Sequence, residues 1–469
     1  MSPLARGAGG GMELAIRPAG PRSADEWESE AEAGLAPPAS AEASAWSFER
    51  SPKIGRAGSS RSVPASETVR RVAPLMRRIG VTRLAEVTHL DRNGVPNFIA
   101  ARPREAGTGI SYYNGKGASR TQARASAMME AIERFSAEVY AGRPIVRSFE
   151  ALAHQAAAID PSELVVPRLV EPRPDLPLEW VEGFDLIGRR PTWAPLNAVV
   201  CPYRPRQPGA AWLFLASSNG LASGNTREEA LCQALCEVME RDAFSLHDAA
   251  TRLKRQVEAV LTGLGGSAGS PPVDPRYPLI DGRTLPPRAR RVYDRLTSAG
   301  LAVRLRDVSG STGIAAFRCA LLEPKGGGQV ASHGGFGCHP DARVAALRAL
   351  TEAAQSRIGF IQGGREDLPE IVRGRGPKVD PARTSGPEPL ADFASVPSVE
   401  HTTVGEDVTW ILRKMEDAGF GQAVAFDLTR PALGVPVVRV VVPQAETWSV
   451  YRMHFGHGVV GARALRMLD

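Results

Sequence analysis

The sequence predicts a mixed α/β (α+β) fold built from a repeated helix-on-sheet unit. Two observations predict it. Short apolar runs at 301–308, 315–322, 422–428 and 435–442 have strand composition and alternate with longer segments of helical period. Three segments also follow one plan: residues 115–136 (GKGASRTQARASAMMEAIERFS), 223–244 (SGNTREEALCQALCEVMERDAF) and 337–357 (GCHPDARVAALRALTEAAQSR). Each opens on a Gly-bearing loop, places Thr or Asp at a helix start and continues as an Ala-rich amphipathic helix. Aligned on Glu130, Glu237 and Glu352, the copies bring Ala123, Ala230 and Ala345 into register. They lie more than 100 residues apart, beyond the roughly 20–50 residues of solenoid units, so they are copies of a subdomain.

Taken in order, residues 1–60 are rich in Ala, Gly, Pro, Ser and Glu without apolar periodicity and read as a flexible arm, leaving 61–469 as the folded domain. Order is expected near Glu67, where Val69, Val72, Leu75, Met76 and Ile79 share one helical face ahead of Gly80. Two stretches rich in Gly and Pro, 265–278 and 373–389, read as loops. With 469 residues, 43% hydrophobic and 23% charged, the chain can bury a sizeable core and is not coiled-coil, collagen-like or wholly disordered.

The same composition narrows the partners. No apolar run is long enough to span a membrane. The opening MSPLARGAGGGMELAIRPAG lacks the continuous apolar stretch of a secretory signal. Five scattered cysteines make no disulfide framework, which points to the cytoplasm. A net charge of +6 suits a phosphate-bearing ligand or an acidic partner. Without a basic stripe it gives no case for nucleic acid. A homodimer is the statistical default for oligomeric state.

Chemistry enters through the repeats. The first two helices carry Glu-x-x-Glu-Arg: Glu130, Glu133, Arg134 and Glu237, Glu240, Arg241. Residues three apart share a helix face, so each carboxylate pair sits side by side. Single pairs of this kind are usually solvated surface. Here they recur in a duplicated unit inside otherwise apolar helices, where unpaired carboxylates are costly. Four such groups around a quasi-symmetric cleft suit a hard divalent cation, and Mg2+ commonly keeps phosphate in its shell. The third copy has Gln355 in place of the second Glu. A di-iron site would need Glu-x-x-His on two further helices, and a single histidine, His89 after Glu86, follows a Glu at that spacing. The Gly-bearing loops at 115–119 and 223–226 place backbone N–H groups at helix starts, a phosphate-binding arrangement. Gly115–Lys116–Gly117 is not a Walker A loop, because Gly117 stands where Ser or Thr should follow Lys. Asn225 and Glu229 stand near the start of the second helix.

NGKGASRTQARASAMMEAIERF and GLASGNTREEALCQALCEVMERDA resemble the two signature segments of the YcaO domain. GFGCHPDARVAALRALTEAAQSR and LGVPVVRVVVPQAE resemble its C-terminal segments, so the likeness spans roughly 61–445. It implies a YcaO fold with a nucleotide site between repeats, ATP and Mg2+ as cofactors, and activation of a peptide backbone amide by phosphorylation of its oxygen. Carried over residue by residue, it places the magnesium ligands on Glu130, Glu133, Glu237 and Glu240. Nucleotide-site positions fall on Ser126, Asn225, Glu229 and Arg241. A basic-x6-hydroxyl pair falls on Arg61 and Thr68, Arg standing where one relative has Lys. Either Arg348 or Arg357 of the third repeat serves the phosphates.

The product is a separate question. The segment IGVTRLAEVTHLDRNGVPNFIAARP (79–103) resembles the TfuA-associated subgroup, which implies a thioamide, an external sulfur donor and a TfuA-like partner. The alternatives are an azoline-forming cyclodehydratase acting on Cys, Ser or Thr with a leader-binding partner, and a non-catalytic ATP-binding scaffold. Among the cysteines, Cys232 and Cys236 sit four apart, a spacing that suits a metal or sulfur relay but more often marks core packing. Cys338–His339 follows a Gly-rich stretch and is the better candidate for substrate-side chemistry, while Cys201 and Cys319 read as core. Tyr112–Tyr113 could stack on adenine, a buried strand end being the simpler account.

Overall fold

The three sequence copies fold as three strand–turn–helix units in the computed structural model, which describes residues 46–48, 51–55, 60–104, 110–261, 263, 275–325, 329–363, 378–379, 388–447 and 460–467. Helices α1 (Ala65–Val72) and α2 (Leu75–Arg78) precede strands β1 (Arg83–Glu86), β2 (Asn97–Ala101) and β3 (Tyr112–Lys116), which lead into the first repeat helix, α3 (Arg120–Ser136). Strands β4 (Ile145–Arg147), β5 (Leu178–Asp185), β6 (Arg190–Pro195) and β7 (Leu221–Ser223) precede the second, α4 (Arg227–Asp248). After β8 (Leu279–Ile280), α5 (Pro287–Ser298), β9 (Ala302–Asp307), β10 (Ala316–Lys325) and β11 (Gln329–Cys338) comes the third, α6 (Ala342–Gln362). The chain continues through β12 (Lys378–Val379), β13 (Leu390–Ala391), α7 (Val404–Asp417), β14 (Val424–Asp427), β15 (Val437–Val441) and α8 (Ala462–Leu465).

These strands form three sheets: β1-β2-β3, β12-β11-β10-β9-β8-β13, and β4-β5-β14-β15-β7 with β6 also on β5. The four strand candidates appear as β9, β10, β14 and β15. Each repeat helix supplies the centre of its own apolar cluster. Met128 and Ile132 of α3 share a cluster with residues of β5 and β14, Leu231 and Leu235 of α4 with α7 and β15, and Ala346 and Leu350 of α6 with α5 and β10.

Local chemistry explains why the copies share one plan. Ser119, Thr226 and Asp341 cap the three helices by accepting backbone N–H bonds from Gln122, Glu229 and Arg343. Thr226 and Asp341 are the expected caps. In the first copy the role falls to Ser119. Counted from these caps, Glu130, Glu237 and Glu352 occupy one offset. The glycines have a contact role. A Cβ at Gly115 would lie 2.1 Å from the Ala123 carbonyl oxygen, and one at Gly337 would lie 2.1 Å from that of Ala345. Strand and helix thus touch backbone to backbone, with glycine on one side and alanine on the other. Both glycines sit inside strands, so packing accounts for them without any phosphate-binding role.

Three expectations need correction or limit. The helix predicted over the apolar face from Val69 is split into α1 and α2 around Ala73–Pro74, although Val72, Met76 and Ile79 are buried as the pattern requires. The arm boundary at residue 60 is too late. Trp46 is buried within the second cluster, and 51–55 pairs with the start of α7. The remainder of 1–45 lies outside the described residues. Residues 264–274 and most of 373–389 do too, but Lys378–Val379 pairs as a strand with Val330 and Ala331. Among the described residues no helix is long and apolar enough to cross a membrane.

Candidate active site

A cavity of about 1340 Å³ lies among the three repeat helices. Equivalent positions of the copies line it. From α3 come Ser126, Glu130, Glu133 and Arg134; from α4, Gln233, Glu237, Glu240 and Arg241; from α6, Arg348, Glu352, Gln355 and Ser356. The helical period puts these positions on one face, and each helix is seated on its sheet so that this face turns inward.

The acidic groups are crowded. Burial pushes Glu133 well above the usual carboxylate range; Arg134 opposes this, and Glu130 and Glu237 add to the rise. Glu133 and Glu237 line the same cavity, so the two copies face each other across it. Burial also raises Glu237, against Arg241 and Arg134. Glu240 is pushed up to about 7 by burial and by Glu352. Glu352 goes the other way: burial would raise it, but Lys116, which ion-pairs with it, and Arg241 hold it below the ordinary range. The two arginines are less tightly paired, Arg134 being 3.6 Å from Glu130 and Arg241 3.7 Å from Glu240. Ser223 N–H donates to Glu133 Oε2 at 3.0 Å and fixes that side chain.

This donor set fits a hard divalent cation. The ligand atoms are all carboxylate oxygens, and buried Glu240 Oε2 has no hydrogen-bond partner among the described residues. Glu130, Glu133, Glu237 and Glu240 are the residues that would hold Mg2+. Cation binding favours the ionised carboxylates, so it should expel protons and tighten as pH rises from about 6 to 8. Calorimetry of Mg2+ binding in buffers of different ionisation enthalpy measures the released proton directly.

The opposite end of the cavity is organised by Glu229. Its Oε1 accepts from Ser62 N–H at 2.5 Å and Ser62 Oγ at 2.6 Å, and its Oε2 accepts from Asn225 N–H at 3.0 Å and Nδ2 at 2.9 Å. Burial alone would raise Glu229, but Arg61 at 3.6 Å and these donors keep its pKa below the ordinary range. Glu229 is not among the cavity-lining residues; it presents Asn225, Arg61 and, through Asn225 Oδ1, Thr68 at 2.9 Å, all of which line the wall.

The profile of the family described as "YcaO cyclodehydratase, ATP- and Mg2+-binding" matches residues 114–446. The chain belongs to the YcaO family. An uncharacterized protein of Methanothermobacter thermautotrophicus is 37% identical over 395 residues, covering 83% of this chain and 96% of that protein. A second relative, an uncharacterized protein in the tfuA 3' region of Rhizobium leguminosarum bv. trifolii, is 31% identical over 401 residues, 82% of this chain and 88% of its own. Among solved structures, YcaO from Methanopyrus kandleri bound with AMPPCP and Mg2+ has a TM-score of 0.60 and 27% identity, covering 86% of this chain and 96% of that one. A heterocyclase in complex with substrate and cofactor shares the fold, with a TM-score of 0.69 at 21% identity over 89% of this chain. This chain spans 58% of the length of that heterocyclase.

Within the YcaO fold the two candidate arginines part company. Arg348 lines the cavity, contacts Gln233 and occupies the position equivalent to Ser126. Arg357 turns away. It is buried, with Nε 2.9 Å from Asp91 Oδ2 and Nη1 2.6 Å from Glu323 Oε2, so the expectation that it could serve phosphate is corrected. Arg357→Met should cost about 3–5 kcal/mol by stranding buried carboxylates. Arg348→Met should weaken nucleotide binding with little loss of stability. Urea melts and nucleotide titration of the two variants separate the roles.

Sequence reasoning passed over Glu352, Lys116 and Gln233 as site residues, although Glu352 had served to align the copies. It also placed Cys201 in the core. Cys201 is partly exposed and lines the cavity, while the other four cysteines are buried. Tyr112 and Tyr113 both line the cavity from β3, and Tyr113 is also a buried core residue. Cys232, His339 and Asp407 place ligand atoms within 4.8 Å of one another. Lys53 Nζ, 2.6 Å from Asp407 Oδ2, already supplies the cation there. His339 Nδ1 accepts the Asp341 N–H, and burial together with Lys53 holds its pKa well below the ordinary value. The neutral ring therefore carries its proton on Nε2, which leaves that nitrogen no lone pair for a metal.

Proposed function

We propose that this YcaO protein uses ATP and Mg2+ to activate a backbone amide of a peptide or protein substrate and replaces its oxygen with sulfur. The observation that carries the reading is the cavity itself: carboxylates from two copies crowd together where burial disfavours their charge and a divalent cation would offset it, with guanidinium groups from all three units close by. The relative bound to AMPPCP and Mg2+ supports this use of the cavity.

The chemistry asks little of a side-chain nucleophile. Sulfide adds to the amide carbon, and the resulting oxyanion takes the γ-phosphoryl group of ATP, releasing ADP. Phosphate then leaves as the C=S bond forms and a proton is lost. Mg2+, when bound, offsets charge on the transferring phosphoryl group. The chain's own residues orient and neutralise. Glu130, Glu133, Glu237 and Glu240 hold the cation. Arg134, Arg241 and Arg348 present N–H groups to phosphate oxygens, and Arg61, Thr68, Ser126 and Asn225 line the rest of the pocket that receives the nucleotide.

The relative named for its position beside tfuA supports thioamide formation with a TfuA-like partner and an external sulfur donor. Cyclodehydration to an azoline is the second reading, favoured by the family's own description. Mass spectrometry of the peptide product decides between them. A thioamide gains the mass difference of sulfur over oxygen, an azoline loses water, and an unmodified peptide with no phosphate released would point to a scaffold.

A further inference from the structure

Ile54, Gly55, Ser60 and Arg61 build one wall of the cavity, and we propose that Lys53 is the positioning residue that fixes this wall. The proposal rests on the nucleotide reading above, because the residues it positions belong to the pocket assigned to the nucleotide.

Backbone pairing lays the segment along the start of α7. Lys53 N–H donates to Thr402 O at 3.0 Å, Val404 N–H donates to Ser51 O at 3.0 Å, and Pro52 is bridged to Thr403. Such contacts bring a strand alongside its neighbour without requiring any particular side chain. The Lys53 side chain supplies the anchor. It is only 6% exposed, and its Nζ lies 2.6 Å from Oδ2 of Asp407, a carboxylate with no exposure at all. The other Asp407 oxygen meets His401 Nδ1 at 2.9 Å, so the carboxylate is oriented before Lys53 reaches it. A buried ammonium is tolerated only where a partner of this quality meets it, so the backbone on either side of Lys53 is confined to one placement.

That placement is passed on through a backbone hydrogen bond. Ile54, the next residue, lines the cavity, and its N–H donates to Arg61 O at 2.8 Å. Arg61 lines the cavity in turn and lies 3.6 Å from Glu229, the group that also orients Asn225. Lys53 itself does not line the cavity. It acts through Ile54 and Arg61.

The test uses the full chain carrying Lys53→Met and, separately, the double variant Lys53→Met with Asp407→Asn, which removes both charges so that neither is stranded. Two quantities are read: hydrogen exchange over 51–62 and over α4, and the Kd for AMPPCP with Mg2+. In both variants exchange over 51–62 should quicken about tenfold or more while α4 stays protected. The Kd should rise about tenfold, and the double variant should regain thermal stability without regaining affinity. Unchanged exchange over 51–62 overturns the proposal, as does affinity that returns together with stability in the double variant. If Lys53→Met does not fold, the double variant alone decides. If the wild-type chain binds no AMPPCP, the nucleotide reading fails, and the exchange result still decides whether Lys53 holds the wall.

Discussion

Glu240→Gln is expected to lower ATP-driven product formation by about 100-fold or more while leaving the chain folded, and Glu133→Gln should do the same. Each substitution keeps the shape of the side chain and removes one anionic ligand from a site whose purpose is to gather negative charge around a cation. The effect on stability has the opposite sign. Burial and Glu352 push Glu240 up to about 7. The cation-free folded state therefore holds a proton that the unfolded chain, with an ordinary carboxylate near 4.5, releases first. Stability from this group is present below about 4.5 and is lost as pH rises through about 7. Gln carries no charge at any pH, so the variant should lose less stability over that interval. Thermal melts at pH 5 and pH 8 in chelator, set beside phosphate release with substrate peptide, check both halves. Wild-type turnover in either variant would contradict the metal assignment.

Gly337→Ala and Gly115→Ala should each cost about 3 kcal/mol or more, a large effect for one methyl group. The new Cβ would sit 2.1 Å from a backbone oxygen of the facing helix, where no side-chain rotation can relieve the contact. The helix must move, and with it the carboxylates or guanidinium group that it carries. A displacement of about 1 Å at a reacting centre costs on the order of 100-fold in rate, so activity should fall by more than the folded fraction does. Gly421→Ala is the control. A Cβ there meets nothing within 4 Å, and both stability and activity should be retained. Urea denaturation and initial rates at matched folded concentration make the comparison.

The repeat helices were legible because three signals agree in each: a capping residue, an Ala-rich helical period and an acidic position at a constant offset. The four magnesium-ligand candidates followed from that register. Arg348 and Arg357 were not separated, yet the helix contains the answer. Nine residues at about 100° each is half a turn beyond two full turns, so the two side chains leave on opposite faces. Only Arg348 shares the offset of Ser126 and Gln233. The N-terminal wall left no comparable trace. Its hold depends on one lysine meeting Asp407 far along the chain, and a single long-range ion pair has no period, spacing or composition by which to announce itself. Cys201 was misplaced for a related reason, since the apolar residues before it read as core while cavity and core differ only in what lies opposite.

The central claim is that the acidic faces of the first two copies hold divalent cations between them. Anomalous diffraction from crystals grown with Mn2+ and AMPPCP tests it most directly. Manganese peaks bounded by Glu130 and Glu133 on one side and by Glu237 and Glu240 on the other are the predicted result. Bound nucleotide with manganese sited away from these four carboxylates would contradict it.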